Sequence, residues 1–249
     1  MLDLTAVPPR REERGPAVAL LALTCAVVST AAGFLVGGKW ALPLLNAALV
    51  YPFYINLILR GRTRRALAFA LLWALFLSQA VIAATYFFPA RAEEVVWRGA
   101  QYREEMFEWV ETGEGMESSP TRFIPVHIRD FVIFSAVTFV TGGAAGLLMG
   151  AILLNYMNYY VGSLIAAAES PAATALLAWQ PYAIIRVAAY ILVATALTEL
   201  FVALVRKRRV PRRVKAWAAL GVAGIIVDII VKSAVAPLWS RMLSWTTGL

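Results

Sequence analysis

From residue 16 onward the chain alternates between long apolar runs and short charged breaks. The runs cover 16–38, 41–59, 66–88, 131–168, 182–205 and 216–238. Most are near the length of about 20 apolar residues that a helix needs to cross a bilayer core. A soluble domain of this size distributes its apolar residues over short amphipathic segments, and that pattern is absent. The pattern predicts an all-α, polytopic transmembrane helix bundle of about six or seven spans, with residues 1–249 forming one integral membrane domain.

The run at 131–168 is 38 residues long and contains no charge. As one helix it would measure about 57 Å, at 1.5 Å per residue, far more than a bilayer core. A hairpin of two crossings or a re-entrant pair of half-helices is expected instead, turning near "LLMGAILLNYMN" at 147–158.

Charge placement sets the orientation. Basic residues gather at Arg10, Arg11 and Arg14, in "RGRTRR" at 60–65, and in "RKRRVPRRVK" at 206–215. The positive-inside rule puts all three clusters in the cytoplasm. The first apolar run is too long for a signal-peptide core and reads as an uncleaved span with a cytoplasmic N-terminus. Parity then places residues 89–130 outside the membrane and makes 131–168 cross an even number of times. A bacterial or archaeal cytoplasmic membrane fits this arrangement.

Composition adds little beyond this. The hydrophobic fraction is 61%, the charged fraction 15% and the mean hydropathy +0.70, against about 25% charged residues in an ordinary soluble domain. The net charge of +8 lies in loops that read as topogenic signals touching anionic lipid, not as a nucleic-acid surface. With one cysteine (Cys25) and one histidine (His127), thiolate and multi-histidine metal sites are excluded. No nucleotide or haem motif occurs, so no cofactor is expected.

The polar segment 89–130 carries eight glutamates between Glu93 and Glu117. As a helix, "AEEVVWRGAQYREEMFEW" aligns Val95, Tyr102, Met106 and Trp109 on one stripe and turns Glu104, Glu108 and Glu111 elsewhere. That predicts an extracytoplasmic amphipathic helix with aromatic anchors and a solvated acidic face. A cation site made from the glutamates is the sharper reading of the same residues.

Polar side chains inside the apolar runs are the remaining candidates. Asn155 and Asn158 share a helix face, with Tyr159 beside them and Asn46 on an earlier run. Gly142, Gly146 and Gly150 form two GxxxG spacings, which permit close helix packing. These residues line either a packing seam or a cavity of broken helices. Arg186 is placed one turn into its run and is expected to snorkel to the outer headgroups. Glu199 lies about 20 Å further along the axis, within only indirect reach of Arg206 or Lys207. Asp228 and Lys232, four residues apart, are expected to pair with each other. Ionisable residues in a span are functional candidates by default.

Two family resemblances follow from these motifs. Residues 127–205, with "LLNYMNYYVG" and "WQPYAIIRVAAYILVATALTEL", resemble the stage II sporulation protein M type of membrane protein. Asn158–Gly162 and Pro181 occupy the places of that family's Asn-Gly…Gly element and Pro-His-Gly helix start. No Asn-Gly pair occurs here, Tyr182 replaces the histidine, and Arg186 stands near an expected acid. This resemblance implies a multi-spanning membrane protein of a kind commonly without established enzymatic activity. "EEVVWRG" (Glu93, Glu94, Arg98) and "FIPVH" (Phe123, His127) resemble the EExxxR and FxxxH motifs of CAAX-processing intramembrane glutamate proteases. That resemblance implies Glu93, Glu94, Arg98 and His127 as a hydrolytic centre, although the family's second histidine motif has no counterpart here.

The expected function is a non-enzymatic permease-like unit or a subunit of a larger membrane complex, with lipid and either other subunits or further copies as partners. A membrane-embedded hydrolase and a pure scaffold are the competing classes.

Overall fold

The structure is a computed structural model and describes residues 15–249. It is all-α, with no strand among the described residues. The N-terminal arginines lie outside this range. Among the described residues six helices are long and apolar enough to cross a membrane: α1 (Gly15–Val36), α2 (Ala41–Leu59), α3 (Thr63–Phe87), α6 (Pro120–Val140), α9 (Pro181–Val205) and α10 (Arg212–Thr247). The protein is an integral membrane helix bundle.

A seventh long helix, α7 (Ala144–Ala167), sits among the others and packs on α2, α3, α5 and α6. Its two asparagines and three tyrosines lower its hydropathy. Those same side chains are largely buried against neighbouring helices, which is where membrane bundles place polar groups. Asn46 Nδ2 donates to Asn155 Oδ1 at 3.0 Å, and Asn158 Nδ2 donates to Ser78 Oγ at 3.0 Å and to the Leu154 carbonyl. The two amides therefore pin α7 to α2 and to α3. Around them lies the principal core, where Phe69, Trp73, Leu77 and Tyr54 are almost wholly buried.

The uncharged run does double back, but not where its sequence placed the turn. The reversal is at Thr141–Gly143, not within 147–158. Gly142 and Gly143 take φ of +59° and +95°, a region open to glycine at no steric cost. Apolar content does not register such a turn. α6 also begins at Pro120, eleven residues before the uncharged run, because His127, Arg129 and Asp130 are helical and face the interior or the rim of a cavity. The last helix likewise reaches Thr247, beyond the expected 238.

The bundle has two chemically distinct ends. At the basic end, Arg206 Nη1 donates to the Leu59 carbonyl at 3.1 Å and Arg213 Nη2 to Thr63 Oγ1 at 3.2 Å, so the two described basic clusters meet. The opposite, glutamate-rich end carries α4 (Pro89–Val95), α5 (Gly99–Thr112) and α8 (Pro171–Leu177). The amphipathic segment is thus two helices, not one. The break is at Arg98, a non-glycine residue at φ +60°. Tyr102, Met106 and Trp109 do share one stripe of α5, but it is buried against α7, α9 and α10 instead of anchoring at the headgroups, while Val95 belongs to α4 and packs with Leu42 and Tyr159. Glu104, Glu108 and Glu111 are exposed.

Candidate functional site

α9 and α10 run antiparallel in close contact. At Gly221 an added Cβ would lie 2.9 Å from the Ala189 carbonyl oxygen, so only hydrogen fits there. This approach brings together ionisable residues far apart in sequence. Arg186 donates from Nε to Asp228 Oδ2 at 2.9 Å and from Nη2 to Asp228 Oδ1 at 3.1 Å. Asp228 is fully buried, and a bidentate guanidinium is the partner that best offsets its desolvation. Arg186 therefore turns inward to a carboxylate, which corrects the snorkelling expectation.

The expected Asp228–Lys232 pair is also replaced. Lys232, fully buried, places Nζ 2.8 Å from Glu117 Oε1 and 4.4 Å from the centre of the Phe123 ring. Arg186 already occupies the carboxylate of Asp228 at closer range, and Glu117 descends from the loop after α5 to meet the lysine. Tyr182 Oη lies 3.4 Å from Glu117 Oε2 and donates to it. Near the basic end Glu199 binds Arg213 through Nε at 3.1 Å, a direct partner in place of the indirect reach to Arg206 or Lys207. Two ion pairs thus join the same two helices about 20 Å apart.

Beside the Arg186–Asp228 pair lies a cavity of about 460 Å³ bounded by α6, α7 and α9 and capped by α5. His127 projects from α6 towards the same carboxylate; its Nε2 lies 3.8 Å from Asp228 Oδ2 and has no hydrogen-bond partner among the described residues. Along each wall the lining changes from polar to apolar towards the basic end. On α6 Asp130 gives way to Phe134, and on α9 Arg186 gives way to Ile191 and Ala194. On α7 Tyr156 gives way to Leu153, Gly150 and Leu147. Tyr102, in the α5 cap, packs 4.7 Å from Tyr156 between ring centres. Burial raises its hydroxyl well above the ordinary tyrosine range, so it remains a neutral hydrogen-bonding group.

The other sequence candidates fall elsewhere. Glu93 accepts from Arg103 Nη1 at 3.0 Å and from the Tyr159 hydroxyl at 3.2 Å, and Glu94 pairs with Arg91 at 2.6 Å. His127 shares no partner with either glutamate. Arg98 lines the cavity mouth, stacks over Trp97 at 5.7 Å, and forms no ion pair among the described residues. Asn155, Asn158 and Tyr159 are buried packing partners and do not line the cavity. Asp130, Tyr156 and Tyr190 line it and were not singled out from sequence. The signal that finds them is a polar residue on the face that α6, α7 or α9 turns towards Arg186. Among the described residues no three His, Cys, Asp or Glu side chains group as a metal site.

Comparisons with protein-family models, with curated proteins and with solved structures found no match for this chain.

Proposed function

We propose that the protein is a non-enzymatic, permease-like membrane unit whose solute site is the cavity between α6, α7 and α9, reached from the extracytoplasmic side. The observation that carries this reading is the cavity itself, with the fully buried Asp228 and its guanidinium partner at one wall. Buried charge at membrane depth is costly and collects along substrate and ion paths. The positive-inside rule assigns the end that carries Arg60–Arg65 and Arg206–Lys215 to the cytoplasm, so the α5 cap and the cavity mouth face outward. A hydrolase would require Glu93 or Glu94 and His127 to act on one water, and their separate partners favour a binding role instead.

Thiol labelling tests the reading. With Cys25 replaced by alanine, Asp130→Cys is expected to react with a membrane-impermeant maleimide added outside intact cells. Reaction from the cytoplasmic side alone, or no reaction on either side, contradicts it.

A further inference from the structure

The gradation of the cavity walls specifies a ligand with two chemically different halves. Along α7 the lining runs from Met157 to Gly146, about 16 Å at 1.5 Å per residue. Its upper part offers donors that the protein leaves free. Asp228 occupies Nε and Nη2 of Arg186 but leaves Nη1 without an acceptor among the described residues. The hydroxyls of Tyr102, Tyr156 and Tyr190 likewise donate to no protein group there, and Arg98 has no ion-pair partner among the described residues. The carboxylates at the same level are mostly engaged: Asp130 with Arg129, Glu117 with Lys232, and Glu105 with the amide of Gln101. The unsatisfied groups are therefore mainly donors, while Arg98 and Glu105 are the two charges in the lining that no opposite charge pairs with among the described residues.

The lower part is lined by Phe134, Leu147, Leu153, Ile191 and Ala194. A small hydrated anion would leave this floor dry, because apolar cavities do not hold water. A purely apolar ligand would leave the donors above it unpaired. α6 separates the cavity from the lipid, with Ile128, Val132 and Ile133 exposed on its outer face.

We propose that the cavity binds a single-chain anionic amphiphile of the phosphate-headed type, its head at Arg98, Arg186 and the tyrosine hydroxyls and its acyl tail on the floor beside Gly150. This inference rests on the solute-cavity reading and names its ligand class. A phosphate head suits the site because guanidinium groups bind phosphate with paired, charge-assisted hydrogen bonds.

The test follows the unfolding temperature of the full-length protein in a neutral maltoside detergent, titrated with dodecyl phosphate or with inorganic phosphate. A specific ligand raises that temperature with saturation. Gly150→Leu is the key variant: no atom lies within 4 Å of its Cβ, so the side chain fits the fold while occupying the floor. Dodecyl phosphate is expected to stabilise the wild type with saturation and to lose the effect in Gly150→Leu. Arg98→Gln is expected to weaken half-saturation by about tenfold, the loss of one charge-assisted contact. Equal binding of inorganic phosphate that survives Gly150→Leu would make the ligand a free anion and overturn the amphiphile. An unchanged dodecyl phosphate effect in both variants would mean nonspecific partitioning and overturn it too, as would no effect from either probe. The Asp130→Cys labelling is independent of these outcomes. A cavity reached from outside that binds no amphiphile defeats this inference alone.

Discussion

Arg186 on α9 holds Asp228 on α10 through two nitrogens, 42 positions apart in the chain, with the carboxylate shut off from solvent. Removing either partner leaves the other charge buried and unpaired. Arg186→Gln alone is expected to cost about 3–5 kcal/mol. Arg186→Gln with Asp228→Asn is expected to cost much less than the two single changes together, because the neutral pair keeps a hydrogen bond. A double-mutant cycle on thermal unfolding measures this coupling.

The pair at the basic end predicts an asymmetry. Glu199 is 6% exposed, whereas Arg213 is partly in solvent. Arg213→Ala strands a buried carboxylate, while Glu199→Gln leaves a neutral amide that still accepts from the guanidinium. The arginine deletion is therefore expected to lower the unfolding temperature more than the glutamate substitution. Equal losses would show that the charge on Glu199 carries no cost of burial.

Asn46 and Asn155 form an amide bridge between α2 and α7. Interhelical polar contacts in membranes contribute about 0.6–2 kcal/mol. Asn155→Leu is expected to destabilise by an amount in that range, and adding Asn46→Leu is expected to recover part of it, since no orphan amide then remains. Resistance to denaturation in graded dodecyl sulfate checks both variants.

Arg98 stands in the left-handed backbone region at the mouth of the cavity. For a residue other than glycine that conformation costs about 1–3 kcal/mol. Arg98→Gly is therefore expected to raise the unfolding temperature while weakening binding of an anionic ligand. A variant that loses both stability and binding would place Arg98 in the scaffold instead.

Much of this architecture is legible in the sequence, because a membrane helix announces itself by uninterrupted apolar length. The existence of the long spans, the doubling back of 131–168 and the alignment of Tyr102, Met106 and Trp109 on one stripe follow from hydropathy and period, whereas the burial of that stripe inside the bundle does not. What escaped has a common physical origin. The turn at Gly142–Gly143 depends on backbone freedom and carries no polarity. The early start of α6 depends on charged residues that are tolerated because they face a cavity. The partners of Arg186, Lys232 and Glu199 come from other helices or the α5–α6 loop, and spacing along one helix cannot supply them. Asp228–Lys232 satisfies the i,i+4 rule, yet each residue takes a better-placed partner from elsewhere.

Solute entry from outside requires the cavity mouth and the basic clusters to lie on opposite sides of the membrane, with α6 and α7 as a hairpin between them. Single cysteines at Thr112, Thr141, Glu169 and Arg209 in a Cys25→Ala background, labelled in intact cells by a membrane-impermeant maleimide, test it most directly. Labelling is expected at positions 112 and 169, with protection at 141 and 209 until the membrane is opened. Positions 112 and 169 on opposite faces of the membrane, or external labelling at 141, would contradict it.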